Sequence, residues 1–244
     1  MLANDSLKGQ VALITGSGQP FADAVARRFA ELGAKLALIH DASDAEAAAA
    51  FVAPEGTLKL ECNASDPKAV KATVREVVAQ LGGVGILICA SLNKASLPLL
   101  EMSAGQWKEA VDAQLSSTIY FDREVIRPMM KAKQGRIINV LFSLTGAAGA
   151  VLAHGIASLT RALASELATH GIFVNSLAVG ELEELGKTLD EDSSKALSIL
   201  ARGVSPLGRP GRASEAAEVA AFLASSIGGL SSGTTLSASG GVYP

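Results

Sequence analysis

The stretch Gly135–Asn175, GRIINVLFSLTGAAGAVLAHGIASLTRALASELATHGIFVN, constrains the fold more than any other part of the chain. Arg136-Ile-Ile-Asn-Val140 is a continuous apolar run, as expected of a parallel strand covered on both faces. From Ala150 to Thr169 apolar positions recur every three or four residues, the spacing of a helix. His170-Gly171 closes that helix, with glycine at the left-handed cap, and Ile172-Phe-Val-Asn175 begins another strand. A strand, a crossing helix and a second strand joined this way form a parallel pair with a right-handed connection.

The same alternation fills the chain. Strands are expected at Gln10–Thr15, Lys35–His40, Thr57–Cys62, Gly85–Cys89 and Thr234–Ala238. Helices are expected at Asp23–Leu32, at Ser43–Val52 with a Ser43/Glu46 capping box, and at Asp66–Leu81 with Pro67 in its first turn. A long helix opens at Ser103 and runs to Lys133 with Trp107, Val111, Leu115, Ile119 and Val125 on one side, and a last helix spans Ala213–Ser225. This order predicts an α/β fold, one doubly wound Rossmann-type parallel sheet with helices on both faces, spanning 1–244 as a single domain. A chain of this length buries roughly 70–75% of its unfolded surface and needs no disulfide or metal to hold together. Cys62 and Cys89 both sit in apolar, strand-like contexts and read as buried reduced thiols.

Composition narrows the function classes. A net charge of −3 with no basic stripe argues against nucleic acid as a partner. MLANDSLKGQ has no basic region leading into an apolar run, so no signal peptide is expected, and no segment is apolar for long enough to span a membrane. A soluble, cytoplasmic protein is expected.

Gly135-Arg-Ile-Ile-Asn139, Leu159-Thr-Arg-Ala-Leu-Ala164, Glu166-Leu-Ala168 and Gly171-Ile-Phe-Val-Asn175 resemble the second half of the short-chain dehydrogenase/reductase family. Pro206-Leu-Gly-Arg209 and the terminal Gly240-Gly241 extend the resemblance from about Leu7 to Gly241. The wording is closest to that of the 3-oxoacyl-carrier-protein reductases. The resemblance implies a nicotinamide cofactor on a Thr-Gly-x-x-x-Gly-x-Gly turn. It also implies an acid–base quartet of Asn, Ser, Tyr and Lys, in which the Lys lowers the pKa of the Tyr that exchanges the proton.

This chain departs from that pattern at each site. Thr15, Gly16 and Gly18 stand in the turn, but Pro20 replaces the second family glycine and Ala22 the third. Pro20 adds a ring and removes a donor where phosphates should lie, while making sense as the first residue of a helix. His40 and Asp41 stand where an acid would select the ribose hydroxyls. Asn63 takes the place of an Asp near the adenine, and Ala90-Ser91 replaces the middle of an Asn-Asn-Ala-Gly turn. Gly16, Gly18, Asp41, Asn63 and Ala90 are the vestigial cofactor positions. Because the phosphate turn is altered, no cofactor is expected, with weak NAD or NADP binding as the alternative.

The quartet is missing. Its positions fall on Gln114, Phe142, Gly149 and Ala153, and the loop after the Ser strand reads as shortened. No change of register restores the Tyr and Lys: the chain has two tyrosines, Tyr120 and Tyr243, and no lysine between Lys133 and Lys187. Val179-Gly180 replaces the Pro-Gly beside the nicotinamide, followed by Glu181, Glu183 and Glu184. Ser143 or Thr145 with His154 could be imagined as a nucleophilic pair, but no nucleophile-elbow glycines and no orienting acid accompany them. The acids from Glu181 to Asp192 fix no metal geometry and read as a solvated lid helix; no metal site is expected.

Three functions compete. The first is a non-catalytic subunit pairing with an active relative on a hydroxyacyl or oxoacyl substrate. In this it resembles the heteromeric hydroxyacyl-CoA dehydrogenase of the benzylsuccinate pathway, though a homo-oligomer is also open. The second is an NAD(P)-dependent oxidoreductase with unorthodox acid–base groups. The third is a stand-alone ligand-binding or regulatory protein.

Overall fold

The computed structural model describes residues 2–90, 99–142, 146–186 and 205–241. In order the elements are β1 (Val11–Thr15), α1 (Pro20–Glu31), β2 (Lys35–His40), α2 (Ala45–Ala50), β3 (Leu58–Glu61), α3 (Pro67–Leu81) and β4 (Ile86–Cys89). Then come α4 (Ala104–Ala110), α5 (Ser117–Ala132), β5 (Gly135–Phe142), α6 (Gly146–Leu167), β6 (Ile172–Val179), α7 (Glu183–Gly186), α8 (Ala213–Ala224) and β7 (Thr235–Ala238). The strands pair in parallel in the order β3-β2-β1-β4-β5-β6-β7. This is the doubly wound α/β architecture the alternation implies.

Alternate residues of each strand feed two cores, because successive side chains leave a strand on opposite faces. Ala12, Ile14, Leu36, Leu38, Ile86 and Ile88 meet α1 and α8 on one face, where Phe21, Val25 and Phe29 pack against the small side chains of Ala213, Ala217 and Ala220. Leu13, Ala37, Ile39 and Leu87 meet α3 and α5 on the other, with Val70, Val74, Phe121, Val125 and Met129. The Asn175 side chain fixes the entry of β7: Nδ2 donates to the Ser231 carbonyl at 2.8 Å and Oδ1 accepts from Thr234 N at 3.3 Å. Among the described residues no helix is long and apolar enough to cross a membrane.

Several local expectations need correcting. α1 starts at Pro20, not Asp23, because proline suits the first helical position. The Ser43/Glu46 box does not form: Asp41 Oδ1 accepts from Ser43 N at 3.1 Å and caps a short turn, Ala42–Asp44, and α2 begins after it without a side-chain cap. The capping box that does form is Ser103 with Gln106, at the start of α4. Between α4 and α5 the chain runs as a π-helix, Val111–Ser116. The inward face there is Ala110, Gln114, Ser117, Thr118, Phe121 and Asp122. Trp107 and Ile119, expected on the apolar inner side, are instead 37% and 39% exposed. β5 extends to Phe142 and α6 already begins at Gly146, which brings the turn between them down to Ser143–Thr145, residues outside those described.

Gly171 is required where it stands. Its φ is +71°, and a β-carbon on it would overlap the carbonyl oxygen of Lys133 at the end of α5. The α5–β5 and α6–β6 corners touch there, backbone to backbone. Gly171→Ala is expected to cost at least about 2 kcal/mol, from left-handed strain plus that overlap. At about 2–4 °C per kcal/mol for a chain of this size, thermal unfolding should show a fall of several degrees.

Candidate functional site

The strand order reverses between β1 and β4, and a crevice opens there at the carboxyl ends of the strands. Thr15, the last residue of β1, is buried, and its Oγ1 accepts the Ala90 N–H at 2.9 Å, which ties the two diverging strand ends together. Beside this junction lies a cleft of about 500 Å³ lined by Thr15, Gly16, His40, Asp41, Cys62, Asn63 and the first residues of α2, with Glu109, Asp112 and Phe121 opposite. Of the five positions expected to meet a cofactor, Gly16, Asp41 and Asn63 come together in this cleft. Gly18 lies on the turn beside it, and Ala90 is buried beneath, its N–H spent on Thr15. The cleft carries the carboxylates of Asp41, Asp44, Glu109 and Asp112, and neither lysine nor arginine lines it.

The glycine turn has left-handed φ at Gly16 (+80°) and Gly18 (+92°), so it bends as phosphate-binding turns do. At its far end Pro20 opens α1, and Gln19 does not cap that helix with its side chain. Gly18 N–H donates to Asp23 Oδ1 at 3.0 Å, and Gln19 Nε2 donates to Asp44 Oδ1 at 2.8 Å. The β-carbon that Gly18 lacks would sit 2.7 Å from Ala48 N, so the turn packs directly on α2. Burial raises the Asp23 carboxyl above its ordinary range, with the Gly18 N–H opposing. The cleft therefore suits the nucleoside half of a dinucleotide, whereas its phosphate half meets the chain's own acids. Asp23 and Asp44 were not singled out in the sequence. The clue was an acid in the first turn of the helix that follows the glycines.

The four quartet positions form packed interior. Phe142 is 5% exposed and meets the Phe21 ring edge-on, with centroids 5.9 Å apart. Gly149 and Ala153 are buried on α6, and Ala153 joins Leu141, Ile156 and Ala178 in a small apolar cluster. Gln114 is buried within the π-helix, and neither polar atom of its amide has a partner among the described residues.

Next to this interior runs a polar chain that sequence reasoning missed. Asn139 Nδ2 donates to Asp122 Oδ2 at 3.2 Å and lies 3.3 Å from Thr160 Oγ1, to which Ser176 Oγ also donates at 2.7 Å. Cys89 Sγ approaches Asp122 Oδ1 at 3.9 Å. Burial pushes the Asp122 carboxyl up to about 7, against the pull of Asn139 and Cys89. It also lifts the Cys89 thiol well above its ordinary value. Asp122 was invisible in the sequence because helical periodicity cannot say which polar residue points inward.

The remaining candidates separate. His154 is exposed on α6, its Nδ1 2.8 Å from the Ala150 carbonyl oxygen, while Ser143 and Thr145 lie outside the described residues, as does Ser91. Of the acids after β6, Glu184 accepts from the Ala213 N–H at the start of α8 and Glu183 approaches Arg212 at 3.6 Å. The rest of that acidic stretch, from 187 on, lies outside the described residues. Glu181 is raised by burial. His40 is half-buried at the end of β2, and its Nδ1 has no partner among the described residues.

Comparison with known proteins agrees with the geometry. The family described as enoyl-(acyl carrier protein) reductase matches residues 16–243. The 3-oxoacyl-[acyl-carrier-protein] reductase of Vibrio cholerae is 33% identical over 247 residues, covering 98% of this chain and 99% of that one. The Pseudomonas aeruginosa reductase of the same name is 34% identical over 250 residues, with the same coverage. The crystal structure of gox2181 superposes with a TM-score of 0.85 at 28% identity, over 96% of each chain. These findings overturn the expectation that no cofactor is involved. Reduction needs a hydride donor, and a reductase family matching from the glycine turn onward points to a nicotinamide cofactor. The error lay in reading Pro20 as closing the whole site, when the cleft beside Asp41 and Asn63 stays open.

The Asp122 carboxyl gives a pH test. Its folded-state pKa of about 7 lies above the ordinary 3.8, so the folded protein holds this proton more tightly than the unfolded chain does. The stabilisation is complete below the lower value and is lost as pH rises through the upper one, at up to about 1.4 kcal/mol per pH unit. Denaturant unfolding of the parent and of Asp122→Asn should therefore show the variant gaining relative stability between these two pH values, with little further change above them.

Proposed function

Since the chain belongs to the short-chain dehydrogenase/reductase family, we propose that it is a non-catalytic subunit of an assembly in which an active relative carries out the redox step. The substrate class is an oxoacyl or hydroxyacyl group on a thioester carrier, in keeping with the acyl-carrier-protein reductases it resembles. One observation carries this reading. Where the family places its proton-handling side chains, this chain has Gln114, Phe142, Gly149 and Ala153, three of them with no group that can exchange a proton. Delivering hydride to a carbonyl carbon leaves charge on the oxygen, which needs a donor within hydrogen-bond reach. The amide of Gln114 can orient a carbonyl but does not titrate. Asp122 does titrate, but it is 2% exposed and turned to Asn139 and Cys89.

The nucleotide cleft remains, and in this reading it takes the adenosine end of a nicotinamide dinucleotide at Asp41 and Asn63. The outer surface supports assembly. Trp107, Ile119 and Val151 are 37%, 39% and 58% exposed on α4, α5 and α6. The inward side of the π-helix and early α5 carries Gln114, Ser117, Thr118 and Asp122. Large apolar groups facing out while polar groups face in is the distribution of a helix covered from both sides.

Co-expression with an intact relative that carries the Tyr-x-x-x-Lys pair tests the proposal. The expected result is a stable mixed oligomer that reduces a 3-oxoacyl thioester, with turnover abolished by Tyr→Phe in the relative alone. Ile119→Glu together with Val151→Glu in this chain should shift the complex to separate species on size exclusion without unfolding either one. Turnover by the isolated chain, unexplained by contaminants, would end the proposal.

A further inference from the structure

From the glycine turn we infer that Asp23 is a resident anion, a carboxylate that occupies the phosphate seat of the cleft and sets how tightly a dinucleotide binds. The inference rests on the reading above that the cleft takes such a nucleotide, and it concerns how that binding is regulated. In turns of this kind successive backbone N–H groups converge on an anion, helped by the positive end of the following helix. Here the Gly18 N–H already points at a carboxylate, Asp23 Oδ1 at 3.0 Å, which comes from the first turn of α1 itself. The Asp23 carboxyl is drawn out of water far enough for burial to raise its pKa, as expected of a group held inside the turn.

The surroundings keep it there. Gln19 is pinned to Asp44 at 2.8 Å, and Gly18 lies against the backbone of Ala47 and Ala48. The two cations nearest Asp23 are committed elsewhere. Lys59 Nζ donates to the carbonyls of Ala48 and Phe51 at 2.9 and 2.7 Å, and the Arg27 guanidinium lies 4.7 Å from the centre of the Phe51 ring. With Asp44 and Asp41 also on the cleft wall, an incoming pyrophosphate meets negative charge and a donor already in use. Adenosine brings no phosphate and meets neither obstacle. Asp23 thus separates the two halves of the ligand energetically: the nucleoside half sees an open cleft, the phosphate half a competitor.

Isothermal titration of the purified chain with adenosine and with ADP-ribose, at fixed ionic strength, tests this on the parent, Asp23→Asn and Asp23→Ala. Asp23→Asn keeps an acceptor for Gly18 and is nearly isosteric, so it guards against a folding defect in Asp23→Ala; thermal melts check both. Removing one like charge near the phosphates is expected to tighten ADP-ribose binding about tenfold in Asp23→Ala and by a smaller factor in Asp23→Asn. Adenosine affinity should stay within about twofold of the parent, because its contacts carry no charge to repel. ADP-ribose binding that is unchanged or weaker in both folded variants overturns the inference, as does adenosine binding that tightens equally, which would mean a general opening of the turn. Failure of both probes on all three proteins removes the nucleotide cleft itself, and the inference with it. The assignment as a non-catalytic subunit is judged separately, by turnover of the isolated chain.

Discussion

A parallel sheet must have both faces covered, and where its strand order turns back on itself the covering helices diverge and leave a crevice. Here the divergence is between β1 and β4, and one hydrogen bond, from the Ala90 N–H to Thr15 Oγ1, holds the two strand ends in register at that point. The other features of the site hang from this junction. The glycine turn leaves β1 directly above it, His40 and Asp41 end the neighbouring strand, and Asn63 follows the next. Because these positions are fixed by sheet geometry, the cleft persists even though its wall now carries carboxylates and no lysine or arginine.

On the other side of the junction the same scaffold has been used differently. Positions that in the family face a substrate are filled here by an aromatic ring and by residues with little or no side chain. The Phe142 ring packs on Phe21, so the floor of the proposed former catalytic locus and the start of α1 share one core. Ala153 and its neighbours close around Leu141 and Ala178. Catalytic groups are commonly held at some cost in stability, and a chain relieved of that duty can let the space collapse into packing. What polarity survives nearby is inward-facing. Asp122, Asn139, Thr160 and Ser176 satisfy one another in the sheet–helix interior, where a carboxyl is held neutral more easily than charged.

The strands and most helices were legible because their apolar spacing is a property of consecutive residues. The misjudged details were those settled by distant neighbours. Asp41, not Ser43, caps the turn after β2, since it is the residue whose carboxylate faces the free N–H once β2 has ended. The long helix was read with one regular face, but the π-helix at Val111–Ser116 resets its phase and turns Ile119 outward and Asp122 inward. Pro20 was recognised as a helix opener and as an obstacle to phosphate, while the acid three residues later, which fills the turn, passed unnoticed. The cofactor expectation failed for a related reason: one altered turn was allowed to speak for a cleft whose other walls lie on β2 and β3.

By itself, then, the sequence determined the alternation of elements, the doubly wound sheet and the lack of a tyrosine–lysine pair on α6. These depend on residue type and local spacing, which no packing can change. Only the tertiary structure decided that Gly18 is already bonded to Asp23, that Asp122 is buried beside Cys89, and that Trp107 and Ile119 remain in water. Each is a matter of which groups from separate elements come within a few ångströms of one another. Hydrogen bonds and desolvation act over that range alone, and position along the chain does not encode it.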